Sequence, residues 1–209
     1  SVSGFIFDIN DGLIVDLSLM PVFTHSLTGK LGGLSGEVGS KRGAIYEKQV
    51  DDLLRNELPE FKQWNCRHRL TFVNGDIREW DVTRILGTTL FVIECKSAIF
   101  PPSDDKGEPE VLWERHENIV DAKLQQIDSL CNRLANEPVG VNYEIPGDVR
   151  WICAIACAPF AEFIKKKSSY YFLTPEIPRL CTPMELVGFL KSYEPECHIG
   201  KPYFYAVKR

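Results

Sequence analysis

The segment from residue 80 to residue 97 constrains the fold most strongly, because it predicts a β-hairpin with charged residues at one end. Asp81 precedes a first apolar run, a Gly-Thr-Thr turn follows, and a second apolar run ends with Glu94 and Lys96. Side chains two residues apart on a strand point to the same face, so we expect Glu94 and Lys96 on one face and Cys95 on the other. Charged side chains beside an apolar strand are unfavourable unless they have a partner or a function. We interpret the function as binding a divalent metal ion that activates water.

The order of these residues resembles the signature of the PD-(D/E)xK nuclease superfamily, whose members have the restriction-endonuclease-like fold. That signature consists of an Asp on one strand, a variable gap across a turn, and Glu-x-Lys on the next strand. Here Asp81 is followed by twelve residues and then by Glu94, Cys95 and Lys96. The resemblance covers residues 41–172 and does not extend to the first forty residues.

Two predicted helices add to this resemblance. The helix before the hairpin carries Glu47, and the helix after it carries Gln125 and Gln126, in the order that the family uses. In that family a Glu on the first helix often reaches the metal site, and a Gln on the later helix positions water or a phosphate. We select Gln125 for this second role. For Glu47, a solvent-exposed helix charge is an equally good interpretation.

The resemblance implies an active site that uses Mg²⁺, with Mn²⁺ as a substitute. Mg²⁺ prefers oxygen ligands and retains several waters, so a few protein ligands are sufficient. The implied metal ligands are the carboxylates of Asp81, Glu94 and Glu47 and the backbone carbonyl of Cys95. Lys96 would contact the attacking water or the scissile phosphate. The implied catalytic residues are therefore Asp81, Glu94, Lys96, Glu47 and Gln125.

The predicted fold class is α/β, with a restriction-endonuclease-like mixed sheet, flanking helices on both faces and an N-terminal β-hairpin appendage. Two apolar runs joined by Asn-Asp-Gly predict that hairpin over residues 4–17. The glycine-rich residues 24–42 predict a flexible loop or linker. We therefore divide the chain into residues 1–40, the hairpin and linker, and residues 41–209, the nuclease domain.

Hydrophobic periodicity and turn signals predict the remaining elements. The expected helices span residues 43–58, 110–136 and 182–192, and a capping box at Thr182 begins the last one. The expected strands are 65–73, which forms a three-stranded antiparallel meander with the hairpin, a buried central strand 149–158, a short strand 170–173, and an edge strand within 202–208.

Arginines around the hairpin predict the positive surface that a phosphate backbone requires. The candidate substrate-binding residues are Arg67, Arg69 and Arg84, with Arg78 as a further candidate. His68 could carry a proton, although a half-exposed strand histidine is the more common situation. Residues 101–109 predict either a substrate-facing flap or a plain surface loop.

The composition limits the class of protein. A net charge of −5 over 209 residues argues against a protein that coats nucleic acid, although an enzyme needs only a local basic rim. The sequence has no apolar stretch long enough to span a membrane. The seven cysteines are scattered through predicted strands and helices, which indicates reduced thiols in the cytosol. Cys153 and Cys157 are expected to be buried core thiols.

These observations together predict a cytoplasmic, Mg²⁺-dependent endonuclease that hydrolyses phosphodiester bonds, with DNA as the expected substrate. One alternative is a non-catalytic module that keeps the nuclease fold and binds nucleic acid or protein. Another is a structural domain in which Glu94 and Lys96 form an ion pair. The sequence leaves open a homodimer and an upstream domain in a longer chain.

Overall fold

The computed structural model describes residues 6–9, 12–15, 36–64, 69–97, 109–159, 168–194 and 200–209. Its strands are β1 (Ile6–Ile9), β2 (Gly12–Val15), β3 (Arg69–Thr71), β4 (Ile77–Glu79), β5 (Val82–Leu86), β6 (Thr89–Cys95), β7 (Trp151–Cys157), β8 (Leu180–Cys181) and β9 (Phe204–Ala206). Its helices are α1 (Gly36–Glu57), α2 (Pro109–Arg115), α3 (Ala122–Asn136) and α4 (Pro183–Lys191), and a π-helical segment (His116–Asp121) joins α2 to α3.

A mixed five-stranded sheet forms the centre of the structure. Strands β5 and β6 pair antiparallel, and β6, β7 and β8 are neighbours that run parallel. Strand β9 pairs antiparallel with the first residues of β7, on the same edge that pairs with β8 further along the strand. All seven residues of β6 are buried, as are six of the seven in β7. Such continuous apolar strands are typical of a parallel sheet covered on both faces. The expectation of a buried central strand is confirmed.

Helices cover both faces of this sheet. On one face, Phe91 and Ile93 of β6 pack with Val50 of α1 and Leu186 of α4. On the other face, Leu90 and Val92 of β6 pack with Ile127 on the apolar side of α3. The protein is therefore a mixed α/β structure whose sheet lies between two helical layers.

The predicted three-stranded meander is wrong. Strands β3 and β4 form a separate two-stranded sheet, whereas β5 and β6 belong to the central sheet. Between β4 and β5, Trp80 is 2% exposed and its ring stacks on that of Trp64, with ring centroids 6.1 Å apart. Burying this large indole removes much apolar area from water. The chain therefore turns inward at Trp80, and the two hairpins separate.

Two other predicted boundaries also differ from the structure. Helix α1 begins at Gly36, inside the segment that we predicted to be a linker, and Tyr46, Val50 and Leu54 of its later turns pack into the core. Residues 170–173 form turns with one isolated bridge between Phe172 and Pro178, rather than a strand.

Several sequence predictions are confirmed. The N-terminal hairpin forms from β1 and β2, and helical structure is continuous from residue 109 to residue 136, with the π-helical segment inside it. Thr182 and Glu185 form the expected capping box, and β9 is the expected C-terminal strand. The thiols of Cys153 and Cys157 are free and buried. No helix in the described ranges combines the length and apolar character needed to cross a bilayer.

The loop after α3 depends on a glycine. Gly140 packs against the ring of Tyr143, and a methyl group added at Gly140 would lie within 2.6 Å of three ring carbons. The Tyr143 ring is held in turn by a T-shaped contact with Phe72 at 5.3 Å and by a hydrogen bond from its hydroxyl to the Glu137 carbonyl at 2.9 Å.

We therefore expect Gly140→Ala to lower the free energy of unfolding by about 1–3 kcal/mol, the usual cost of overpacking a fixed core. Urea denaturation measures this change. Gly188→Ala is the control, since Gly188 lies in α4 with nothing within 4 Å of the added methyl group. That control should raise the free energy of unfolding by about 0.5–1 kcal/mol. Equal stability of Gly140→Ala and the unmodified protein would contradict the packing described.

Candidate active site

The pairing of β5 with β6 brings Asp81 and Glu94 together. The last pair in the register is Val82 with Ile93, so Asp81 stands opposite Glu94 one residue beyond it. Directly opposite residues of an antiparallel pair project to the same face. The Oδ2 atom of Asp81 also accepts a hydrogen bond of 2.6 Å from the backbone N–H of Cys95. The two carboxylates therefore lie at the carboxyl end of β6, the end of a parallel strand at which α/β proteins commonly bind ligands.

Helix α3 supplies the partners of Glu94, which is only 6% exposed. The Oε1 atom of Glu94 accepts hydrogen bonds from Lys123 Nζ at 3.0 Å and from Gln126 Nε2 at 2.9 Å. Lys123 Nζ also donates to Gln126 Oε1 at 2.7 Å. The charge of Glu94 is thus neutralised by an ammonium group that is itself held in place by an amide.

The pKa of the Asp81 carboxyl is raised to about 7. Partial burial is the largest cause, followed by the nearby negative charge of Glu94 and, more weakly, that of Glu47. The hydrogen bond from the Cys95 N–H and the charge of Lys123 act in the opposite direction. A bound cation would offset the part of this shift that comes from the neighbouring negative charges.

Glu47 approaches the site from α1, on the other face of the sheet. Its charge raises the pKa of Asp81 and of the buried Cys95 thiol, so it lies within electrostatic range of both. No three or more His, Cys, Asp or Glu side chains in the described part of the chain form a group able to hold a metal ion. Within the described residues, Glu47 therefore acts electrostatically on Asp81 without completing such a group, and its role as a metal ligand stays a prediction.

Lys96 follows Glu94 on the strand and is exposed. Its backbone N–H donates to the carbonyl of Cys157, which continues the pairing of β6 with β7. The next residue, Ser97, accepts a hydrogen bond of 3.4 Å from Arg42 Nε on α1. The structure thus keeps Lys96 at the rim, and the ammonium that contacts Glu94 belongs to Lys123.

The glutamine that reaches the site is Gln126. Both neighbouring glutamines are exposed, and the one that donates a hydrogen bond to Glu94 is Gln126 rather than Gln125, which we selected from the sequence. The signal was present in the periodicity of α3, since Gln126 lies three residues after Lys123 and beside Ile127, which is buried against the sheet. Residues three and four apart share a helix face, so Lys123 and Gln126 belong to the face turned towards β6.

The arginines expected around the site have different positions. Arg84 is 2% exposed and donates to the carbonyl and carboxylate of Asp51 and to the carbonyl of Thr83. It therefore ties β5 to α1, and its predicted place on a positive rim is wrong. The hairpin pattern could not reveal this, because Asp51 is distant in sequence. Arg69 is exposed, whereas Arg67, His68 and residues 98–108, with most of the predicted flap, lie outside the described residues.

A cleft of about 310 Å³ opens beside Glu94, between the β3–β4 hairpin and α3. We call it the hairpin cleft. It is lined by Arg69, Ile77, Arg78, Glu79, Glu94, Gln126, Ile127 and Leu130. Sequence reasoning did not find this cleft, because it placed the strand 65–73 in one meander with the β5–β6 hairpin.

Comparisons of the chain with protein-family models, with curated protein sequences and with solved structures returned no match.

The raised pKa of Asp81 predicts a pH-dependent cost to folding. Between about pH 4 and pH 7 the folded state keeps a proton that the unfolded state has lost, so stability falls as the pH rises through this window. Asp81→Asn removes this cost and retains an oxygen that can accept the Cys95 hydrogen bond. We expect the variant to unfold like the unmodified protein at about pH 4 and to be about 1–3 kcal/mol more stable at about pH 8, since one pKa unit corresponds to 1.36 kcal/mol and partial exposure screens the charge.

Urea denaturation across this pH range measures the effect. Asp52→Asn is the control of opposite sign, since a hydrogen bond from Lys48 lowers the pKa of Asp52. Asp52→Asn should therefore give no gain in stability at about pH 8. A constant difference between Asp81→Asn and the unmodified protein at every pH would contradict the assigned electrostatics.

Proposed function

We propose that the protein is a metal-dependent phosphodiester hydrolase, an endonuclease that acts on DNA. The observation that carries this proposal is the position of Asp81 opposite Glu94 at the end of the β5–β6 pair. The negative charges of the two carboxylates repel each other, and a bound divalent cation would reduce that repulsion. The choice of DNA comes from the resemblance to the PD-(D/E)xK nucleases.

The order and placement of the elements support a restriction-endonuclease-like fold. A mixed sheet lies between helices, α1 brings Glu47 towards the carboxylates, and α3 brings Gln126 to Glu94. Both helices stand in the chain order that the family signature implies. The free, buried cysteines of the described core support a reducing cytoplasmic location.

The donor set is suited to a hydrated Mg²⁺ ion, with Mn²⁺ as a substitute. Within the described residues, the hydrogen bonds to the two carboxylates go to Oδ2 of Asp81 and Oε1 of Glu94. Oδ1 of Asp81 and Oε2 of Glu94 are therefore the oxygens available to an ion. Mg²⁺ usually binds through one or two carboxylates and keeps its waters, which suits a pair of carboxylates without a closed cluster. The Cys95 carbonyl, at the end of β6, would add a third oxygen.

In the proposed reaction a water oxygen forms a bond to phosphorus, the bond to one ester oxygen breaks, and a proton of the water ends on the departing oxygen. When bound, Mg²⁺ would supply Lewis-acid stabilisation of the charge that develops on the phosphate. Asp81 and Glu94 would hold the ion, and the hydrogen bonds from Lys123 and Gln126 fix the orientation of Glu94. Lys96, which is exposed at the rim, would contact the water or the phosphate. The negative charge of Glu47, on α1, would add to the attraction of the site for the ion.

Conservative variants of the three signature residues test this function. Asp81→Asn, Glu94→Gln and Lys96→Met should each reduce Mg²⁺-dependent cleavage of plasmid DNA by at least about 100-fold, since each removes a charge from the reacting centre. Cleavage is followed by gel electrophoresis, and circular dichroism checks that the variants are folded.

The matched control is Glu57→Gln. Glu57 is an exposed carboxylate whose ion-pair partner is Lys191 on α4, away from the site. This variant should cleave at the unmodified rate. Mg²⁺ should also raise the melting temperature of the unmodified protein, but not that of Glu94→Gln, because only a ligand of the native state stabilises it. Absence of both cleavage and a Mg²⁺-dependent shift would favour the non-catalytic binding module.

The neighbouring glutamines provide a sharper test of the geometry. Gln126→Ala removes a hydrogen bond that orients Glu94, so we expect Mg²⁺ affinity to fall by about 10–100-fold, the usual effect of losing a partner of a metal ligand. Gln125→Ala alters an exposed neighbour on the same helix and should leave that affinity unchanged. Calorimetric titration with Mg²⁺ measures the affinity of both variants. A larger loss for Gln125→Ala would refute the assignment of Gln126.

A further inference from the structure

The candidate site contains a cation of its own, the ammonium group of Lys123. Its Nζ atom lies 3.0 Å from Oε1 of Glu94, and the Lys123 side chain is only 19% exposed. A buried carboxylate keeps its charge at acceptable cost only next to an opposite charge. Within the described residues, Lys123 is the one cationic side chain that forms an ion pair with Glu94. The protein therefore compensates this carboxylate by itself.

A second hydrogen bond holds the ammonium group in place. Lys123 Nζ donates to Oε1 of Gln126 at 2.7 Å, and Nε2 of Gln126 donates at 2.9 Å to the same Glu94 oxygen that Lys123 contacts. Lys123 is the second residue of α3, and Gln126 follows three residues later on the same helix face. The three side chains thus form a closed ring of hydrogen bonds, which is complete without a metal ion.

The charge of Lys123 acts on both carboxylates of the candidate metal site. Besides its ion pair with Glu94, it lowers the pKa of Asp81, against the stronger effects of burial and of the Glu94 charge. Lys96, in contrast, is exposed at the rim. The positive charge that a metal ion would meet between the two carboxylates therefore belongs to Lys123.

Two cations attracted by the same carboxylates repel each other. This repulsion is strongest where access to water is limited, as it is at Glu94. An ammonium group and a divalent ion at this site are therefore alternatives, since either can compensate Glu94 and each weakens the binding of the other. The weakening is reciprocal, because it is one coupling free energy between two sites.

We propose that Lys123 is the internal counter-cation of the candidate site, which compensates Glu94 while no metal ion is bound and competes with Mg²⁺ when the ion binds. This inference rests on the proposed metal-dependent function and adds regulation to it, because Lys123 then sets the Mg²⁺ concentration at which the site fills. Gln126 contacts the same oxygen of Glu94, but its neutral amide orients the carboxylate without opposing the ion.

Calorimetric titration of the metal-free protein with Mg²⁺ tests the competition. Lys123→Gln removes the charge and keeps an N–H donor, so Mg²⁺ should bind roughly tenfold more tightly than to the unmodified protein. Lys123→Arg keeps the charge and should not tighten binding. Lys48→Gln controls for the change in net charge, since Lys48 is an exposed lysine paired with Asp52 on α1, and it should leave the affinity unchanged.

The outcomes separate this inference from the function on which it rests. Mg²⁺ that binds Lys123→Gln with unchanged or weaker affinity overturns the role of Lys123 and leaves the metal site standing. Absence of Mg²⁺ binding to both the unmodified protein and Lys123→Gln overturns the metal site of the proposed function, and the competition with it.

Thermal unfolding measures the same coupling from the side of stability. In EDTA, Lys123→Gln should lower the melting temperature by roughly 3–6 °C, because Glu94 loses its counter-charge. Saturating Mg²⁺ should reduce this deficit, since the ion compensates the same carboxylate. In the Glu94→Gln background, Lys123→Gln should have almost no effect. A deficit that Mg²⁺ leaves unchanged indicates a purely structural ion pair and overturns the proposal.

A measurement on the unmodified protein does not depend on the folding of any variant. The hydrogen bonds of Lys123 shield its ammonium protons from exchange with water, so the group should give an NMR signal in the metal-free protein. This signal should shift as Mg²⁺ is added, whereas the exposed Lys48 should show no such change. A Lys123 signal that remains the same at saturating Mg²⁺ overturns the proposal.

Discussion

The burial of β6 is the constraint on which the rest of the structure depends. Every residue of this strand is removed from water, and its side chains alternate between two separate cores. A carboxylate near the end of such a strand must be compensated, because an unpaired charge in the interior is strongly unfavourable. Glu94 receives this compensation from Lys123 and Gln126 on α3. The packing of α3 on the sheet therefore also supplies the partners that a buried carboxylate requires.

The candidate site combines contributions from both helical layers. α3 provides the partners of Glu94 from one face, and α1 brings the charge of Glu47 from the other. Asp81 joins them from the edge strand β5 and is fixed by the backbone N–H of Cys95. The cost of this arrangement is visible in the raised pKa of Asp81, because the scaffold holds a carboxyl where ionisation is unfavourable. Strain of this electrostatic kind is characteristic of functional sites.

Local sequence patterns determine much of the secondary structure. The sequence predictions that were wrong have a common cause. The hairpin around Gly87, the strand β7 and the capping box at Thr182 depend on turn residues and periodicity, which the sequence displays directly. The separation of β4 from β5 depends on the burial of Trp80 against Trp64, which only packing determines. The burial of Arg84 likewise depends on a partner, Asp51, that no local pattern connects to it.

The sequence alone determined that Asp81, Glu94 and Lys96 would flank one hairpin, because strand alternation and a short turn fix which residues face each other. It also determined that a helix carrying Lys123 and Gln126 would follow. The tertiary structure decided which of these groups meet. Packing turned Gln126 towards Glu94, left Lys96 at the rim and separated the β3–β4 hairpin, thereby opening the cleft. These outcomes depend on contacts between residues far apart in the chain. The free energies of such contacts cannot be inferred from any single stretch of sequence.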